Sequence, residues 1–159
     1  MIVYKLFRIK HGKLFPLYVE ASREIEMGKW LKAGCGQLVD ENHVKARGAG
    51  GSLSLRAGWH STTIPFTDWI GARQPDGTLA QRKDTVWCEC EVDGYQINCE
   101  ARNGFSMVPK DCWYYFKTNS KQNEPWIISD KIKVNRILTA DEVAEICREN
   151  GIEPQPVSA

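Results

Sequence analysis

The chain predicts a single α+β domain: an antiparallel or mixed sheet, few helices, and one helix at the C-terminus. Three observations carry that expectation. Short runs rich in β-branched and aromatic residues recur along the chain, glycine-containing turns separate them, and one late run has helical spacing behind a capping signature. A length of 159 residues with 42% apolar and 26% charged residues suits one domain with a proper core. No internal repeat or linker divides it. Residues 1–151 read as the domain and 152–159 as a flexible tail.

The elements follow in order. IVYKLFRI at 2–9, the turn KHGK and LFPLYV at 14–19 predict an opening hairpin, with Pro16 ending its second strand early or placing it at an edge. REIEMGKWLKA at 23–33 predicts a short helix with Ile25, Trp30 and Leu31 on one side. Gly28 weakens it, and Gly34 and Gly36 end it. Residues 37–47 are polar and ambiguous. GAGG at 48–51 reads as a flexible connection into a strand, SLSLRAGWH. A short turn or helix at PFTDWIG precedes a polar loop in which Pro75-Asp76-Gly77 marks a turn. TVWCECEV at 85–92 alternates, with Val86, Cys88, Cys90 and Val92 on one face and Trp87, Glu89 and Glu91 on the other. Asp93-Gly94 predicts a hairpin into YQINCEA. CWYYFKT at 112–118, WIIS and KIKVNRIL are further strands. In the last helix Thr139 and Glu142 form a capping box, Val143, Ile146 and Cys147 share a face, and Gly151 is the stop.

The bulk numbers narrow the function classes. A net charge of +1 forces no large basic surface, so an extended nucleic-acid interface is not expected. No apolar run approaches the roughly eighteen residues of a membrane span. The N-terminus lacks the continuous apolar centre of a signal peptide, so the chain reads as cytoplasmic and its six cysteines as reduced thiols.

Each candidate site has a plainer alternative. Cys88, Cys90, Cys99 and Cys112 raise a zinc site, but the one-residue gap between the first two fits burial on one strand face better than chelation. No metal site is expected. GAGGS at 48–52 has the glycines of a phosphate loop without its Gly-Lys-Ser/Thr ending. Trp113, Tyr114 and Tyr115 beside Lys110, Lys117 and Lys121 suggest base stacking, or else core packing of a strand. His60, at a strand end before Ser61, Thr62, Thr63 and Pro65, is either a ligand-positioning group or a histidine that fastens its loop.

VYKLFR, RAGWHST, VWCECEV and NEPWIISDKIKVNRIL, in that order, resemble the layout of ADP-ribosyltransferase-like domains. The whole chain also resembles uncharacterised small proteins of bacteriophages and mobile elements that carry an R-x-G-W-H segment followed by proline. The first resemblance, over about residues 2–138, implies that the chain binds NAD or a related nucleotide, and leaves open whether it also cleaves it, as a transferase or NAD glycohydrolase would. It implies that Arg8 and His60 contact the nicotinamide ribose or a phosphate. Ser61 or Thr62 would support the site, and Trp59 or Trp69 would stack on the nicotinamide ring. Glu124, with Gln122 two residues earlier, would stabilise the positive charge that develops on the sugar carbon as nicotinamide leaves. Pro125 holds Glu124 in extended geometry. Glu89 and Glu91 are alternative carboxylates, with a solvated strand face as their plainer reading. Two further classes stay open. One is a non-enzymatic protein that engages a host factor, which six tryptophans suit. The other is a nucleic-acid-processing accessory protein with Lys117, Lys121, Lys131, Lys133 and Arg136 gathered on one face.

Overall fold

In the computed structural model, residues 1–34, 36–47, 51–54, 58–98, 108–122 and 124–158 are described. The alternating opening segment forms β1 (Ile2–Lys10) and turns back into β2 (Lys13–Phe15). His11 and Gly12 both have positive φ, 52° and 76°, the signature of a type I′ turn, whose twist matches that of the flanking strands. β2 stops immediately before Pro16, as the missing amide hydrogen requires. The remaining strands are β3 (Trp30–Lys32), β4 (Leu38–Asp40), β5 (His43–Ala46), β6 (Gly51–Ser54), β7 (Trp59–Ser61), β8 (Ala72–Arg73), β9 (Leu79–Ala80), β10 (Thr85–Glu91), β11 (Tyr95–Gln96), β12 (Cys112–Phe116), β13 (Trp126–Ser129) and β14 (Lys131–Ile137). One helix, α1 (Ala140–Glu149), follows.

Two sheets make the body. The first has the order β2-β1-β10-β14-β3, antiparallel throughout; the second has the order β11-β12-β13-β7. Smaller sheets are formed by β4-β5-β6 and by β8-β9. The two main sheets share a corner, since Asp130 alone separates β13 from β14 and one extended segment serves both. Asp130 is buried. Its carboxylate accepts the Asp111 amide at 3.0 Å, its amide donates to the Cys112 carbonyl, and its carbonyl accepts from Ala33. Asp111, held at φ 60°, also pairs with Lys131.

β10 is buried on both faces. Cys88 and Cys90 join Val3, Phe7, Ile127, Ile132 and Val134 in the core between the sheets. On the reverse face Trp87 packs with Leu6, Leu138, Val143 and Ile146, under α1. The helix begins as the capping box dictates: the Thr139 hydroxyl accepts the Glu142 amide, and the Glu142 carboxylate accepts the Thr139 amide.

Four expectations need correction. Residues 23–33 are not helical: Ile25 bridges Leu14, Gly28 sits at φ 81°, and β3 pairs with β14. Strand edges satisfy this segment's backbone, and Trp30 is exposed where a core helix would bury it. SLSLRAGWH supplies two strands in different sheets, β6 and β7, and residues 55–57 lie outside the described residues. β11 does not fold back on β10; it pairs parallel with β12. The tail is docked, with the Gln81 amide donating to Pro156, the Ser158 amide donating to Gln81, and the Gln155 side-chain amide reaching the carbonyl of Thr67. Its glutamine supplies donors that its prolines lack.

The corner gives a stability test. Asp130→Ala removes the acceptor for the part-buried Asp111 amide and leaves a hole at a buried position, and is expected to cost about 1–3 kcal/mol in urea unfolding, while Asp130→Asn, which keeps a carbonyl oxygen there, should recover part of it.

Candidate functional site

The sheets also meet at a second place, through an isolated antiparallel pair. Tyr4 donates to the Thr62 carbonyl at 2.8 Å and Thr62 donates to the Tyr4 carbonyl at 2.7 Å. Continued one step, that register would pair Leu6 with His60. The strands part instead, and the Lys5 ammonium takes the His60 carbonyl at 2.8 Å. A cleft of about 530 Å³ opens where they separate. Four tryptophans (Trp59, Trp69, Trp87 and Trp126) and two tyrosines (Tyr4 and Tyr18) line it, together with Lys5, His60, Glu20 and Thr118. Its size and mainly apolar wall suit a flat ligand of cofactor or nucleoside size.

His60 sits in the middle of β7 with its ring edge-on to Trp126, centroids 5.8 Å apart, and its Nδ1 3.2 Å from the Gly58 carbonyl. Gly58 makes this possible. At φ 155° it has backbone that side-chain-bearing residues rarely adopt, and a Cβ there would meet Ile128 Cγ2 at 2.5 Å. Trp59 lines the cleft and donates its indole hydrogen to the Leu31 carbonyl at 2.8 Å. The Trp126 indole donates to Thr118 Oγ1 at 3.0 Å. Both rings are thereby fixed in place before any ligand arrives.

Ser61 and Thr62 are spent on the scaffold. Ser61 is fully buried and its hydroxyl lies 3.2 Å from the Ile127 carbonyl. The Thr62 hydroxyl lies 2.5 Å from the Ile64 carbonyl and 3.2 Å from that of Tyr4. Neither lines the cleft. Glu124 stands outside the cleft lining, two residues before Trp126, where its carboxylate accepts from the Thr63 hydroxyl at 3.3 Å. Gln122 staples its loop by donating to the Glu124 carbonyl and accepting the Thr118 amide.

Arg8 lies outside the cleft lining, in an adjoining pocket. Leu6, Leu17, Tyr18 and Ile70 border both the cleft and a smaller pocket of about 20 Å³. Arg8, Arg47 and Arg82 line that pocket, with Asp84 as its carboxylate. Arg8 donates from Nη2 to the Ala21 carbonyl and stacks over Phe15 at 4.9 Å, while its buried Nε has no hydrogen-bond partner among the described residues. Arg47 and Asp84 are 4.0 Å apart.

The remaining candidates are occupied elsewhere. Glu89 and Glu91 pair across the sheet with Arg136 and Lys133. Arg136 also pairs with Glu142, and Lys131 with Asp111, so the basic residues of β14 are charge-compensated rather than gathered into a groove. Trp113 and Tyr115 contact each other edge to face on one side of β12, and Tyr114 is buried on the other. Cys88 and Cys90 are core thiols; burial pushes Cys88 up to about 12 and raises Cys90 as well. Cys35, Cys99 and residues 48–50 of the GAGGS segment lie outside the described residues. Among the described residues no helix is long and apolar enough to cross a membrane.

Lys5 is the residue the candidate set omits. It borders the cleft, so part of its surface stays accessible, yet it lies deep in the molecule, and burial lowers its pKa to about 8. The signal was present: strand alternation places Lys5 on the same face as the buried Val3 and Phe7. No family model, curated protein or solved structure matches the chain.

The sign of the Lys5 shift makes a prediction. Between about pH 8 and the usual lysine range, the unfolded chain holds a proton that the folded chain has released, so Lys5 favours folding more as pH rises through that window. The stability difference between wild type and Lys5→Met, measured by urea unfolding, should therefore move toward wild type by on the order of 1–2 kcal/mol between pH 7 and pH 10.

Proposed function

We propose that the chain binds NAD or a related nucleotide, with an aromatic ring in the tryptophan cleft and phosphate at the three-arginine pocket. One observation carries this reading: an aromatic cleft and a cluster of guanidinium groups adjoin, with Leu6, Leu17, Tyr18 and Ile70 bordering both. Arginine forks match phosphate oxygens, and Arg8 Nε has no hydrogen-bond partner among the described residues. Arg8 and His60 then act on two ends of one ligand. Trp59 and Trp126 offer ring faces or edges, and His60 positions the ligand against Trp126.

Cleavage is the enzymatic extension of the same reading. Glu124, hydrogen-bonded to Thr63 two residues before the cleft-lining Trp126, is the carboxylate that would stabilise positive charge on the ribose carbon as nicotinamide departs. Ser61 and Thr62 support the site through the fold, by holding β7 to β13 and to β1.

Titration calorimetry with NAD, ADP-ribose and AMP tests binding. Micromolar to sub-millimolar affinity is expected for at least one of them, with Arg8→Ala and His60→Ala each weakening it about tenfold. No heat with any of the three at millimolar concentration sinks the reading. If chromatography detects nicotinamide release, Glu124→Gln should lower its rate about 100-fold with the calorimetric affinity unchanged. An unchanged rate removes Glu124 from the chemistry.

A further inference from the structure

We propose that the cleft is an anion site in its own right, in which the Lys5 ammonium receives a compact negative group carried on an apolar ring. The inference goes beyond the nucleotide reading and does not depend on the arginine pocket.

It rests on charge imbalance in a described cavity. Among the described residues, Lys5 and Glu20 are the lysine, arginine, aspartate and glutamate side chains in the cleft wall. Glu20 already pairs with Arg23 at 3.3 Å. Lys5 makes no ion pair among the described residues: its neighbours are the His60 carbonyl at 2.8 Å and the ring faces of Phe7 and Trp59, with centroids at 5.5 and 5.9 Å. An ammonium has three donors, so one carbonyl leaves two for another acceptor. The other titratable groups around it do not neutralise it. Cys88, opposite Lys5 in the β1–β10 register, and Cys90 are thiols held neutral by burial. Tyr4 is raised further above neutrality, again mainly by burial. Arg23, across the Trp59 ring at 5.1 Å, adds positive rather than negative charge.

A buried charge without a counterion is costly to the protein and becomes favourable when a ligand supplies the partner. The apolar walls select the rest of the ligand. Trp59 and Trp126 are held by their indole hydrogen bonds, so a flat ring meets a prepared surface. The ligand class is therefore an aromatic carboxylate, sulfonate or phosphate ester, and its neutral counterpart binds less well.

A dye pair tests this directly. 8-Anilinonaphthalene-1-sulfonate and N-phenyl-1-naphthylamine share an aromatic body and differ by the sulfonate. Fluorescence titration of the full chain at pH 6.5 should show the sulfonate binding at least about tenfold more tightly. The preference should fall away by pH 9.5 in wild type, persist at pH 9.5 in Lys5→Arg, and be lost at both pH values in Lys5→Met. Arg82→Ala should leave it unchanged, which separates the cleft from the arginine pocket. If Lys5→Met does not fold, the Lys5→Arg comparison across pH decides. Equal affinity for the two dyes at pH 6.5, no binding of either, or a preference that Arg82→Ala abolishes overturns the proposal. NAD binding without a dye preference would leave the nucleotide reading standing alone, and the reverse result would leave this one.

Discussion

Two peptide hydrogen bonds between Tyr4 and Thr62 hold the edges of the main sheets together, and the architecture of the site depends on their standing alone. With more pairs, β1 and β7 would zip into a continuous sheet and leave no cleft. Without this pair, the sheets would be joined chiefly at the Asp130 corner and through the core. One pair closes the fold while leaving the next carbonyl, that of His60, to be satisfied from a side chain. Lys5 provides that bond, so the group that repairs the interrupted ladder is also the cation in the cavity wall.

The local pattern made much of the fold legible. The strands at 2–10, 85–91, 112–116, 126–129 and 131–137 lie where alternation and β-branched content place them, and the capping box at Thr139 marks the helix start. The segment 23–33 was misleading: Trp30 and Leu31, five and six residues after Ile25, do not complete a helical stripe, and its strand partner β14 is distant in sequence. The partner of β11 was hidden for a similar reason. Asp93-Gly94 marks a change of direction, and does not say which strand follows beside it.

The candidate cleft was legible in some of its lining residues more than in its geometry. His60 and Trp59 stand in the cleft wall, and Arg8 lines the arginine pocket that adjoins it. Ser61 and Thr62 illustrate the limit: hydroxyl residues next to a candidate histidine look functional, but alternation and the β7 pairings turn theirs toward backbone carbonyls. Lys5 shows the converse. A lysine within an apolar strand reads as surface until its inward parity is weighed.

The order of strands in the larger sheet bears on how the chain comes to be folded. β1 is made first, yet its partner β10 lies beyond the middle of the chain and β14 near its end. Apart from its short hairpin with β2 and the single Tyr4–Thr62 pair, it has no strand to pair with until more than half of the sequence exists. Such non-local closure predicts slow folding and an early period in which a nascent apolar strand is unprotected. During synthesis, the charged residues Lys5, Arg8 and Lys10 spaced along that strand then act as guards against association with other chains, before Lys5 and Arg8 take up their places in the finished protein.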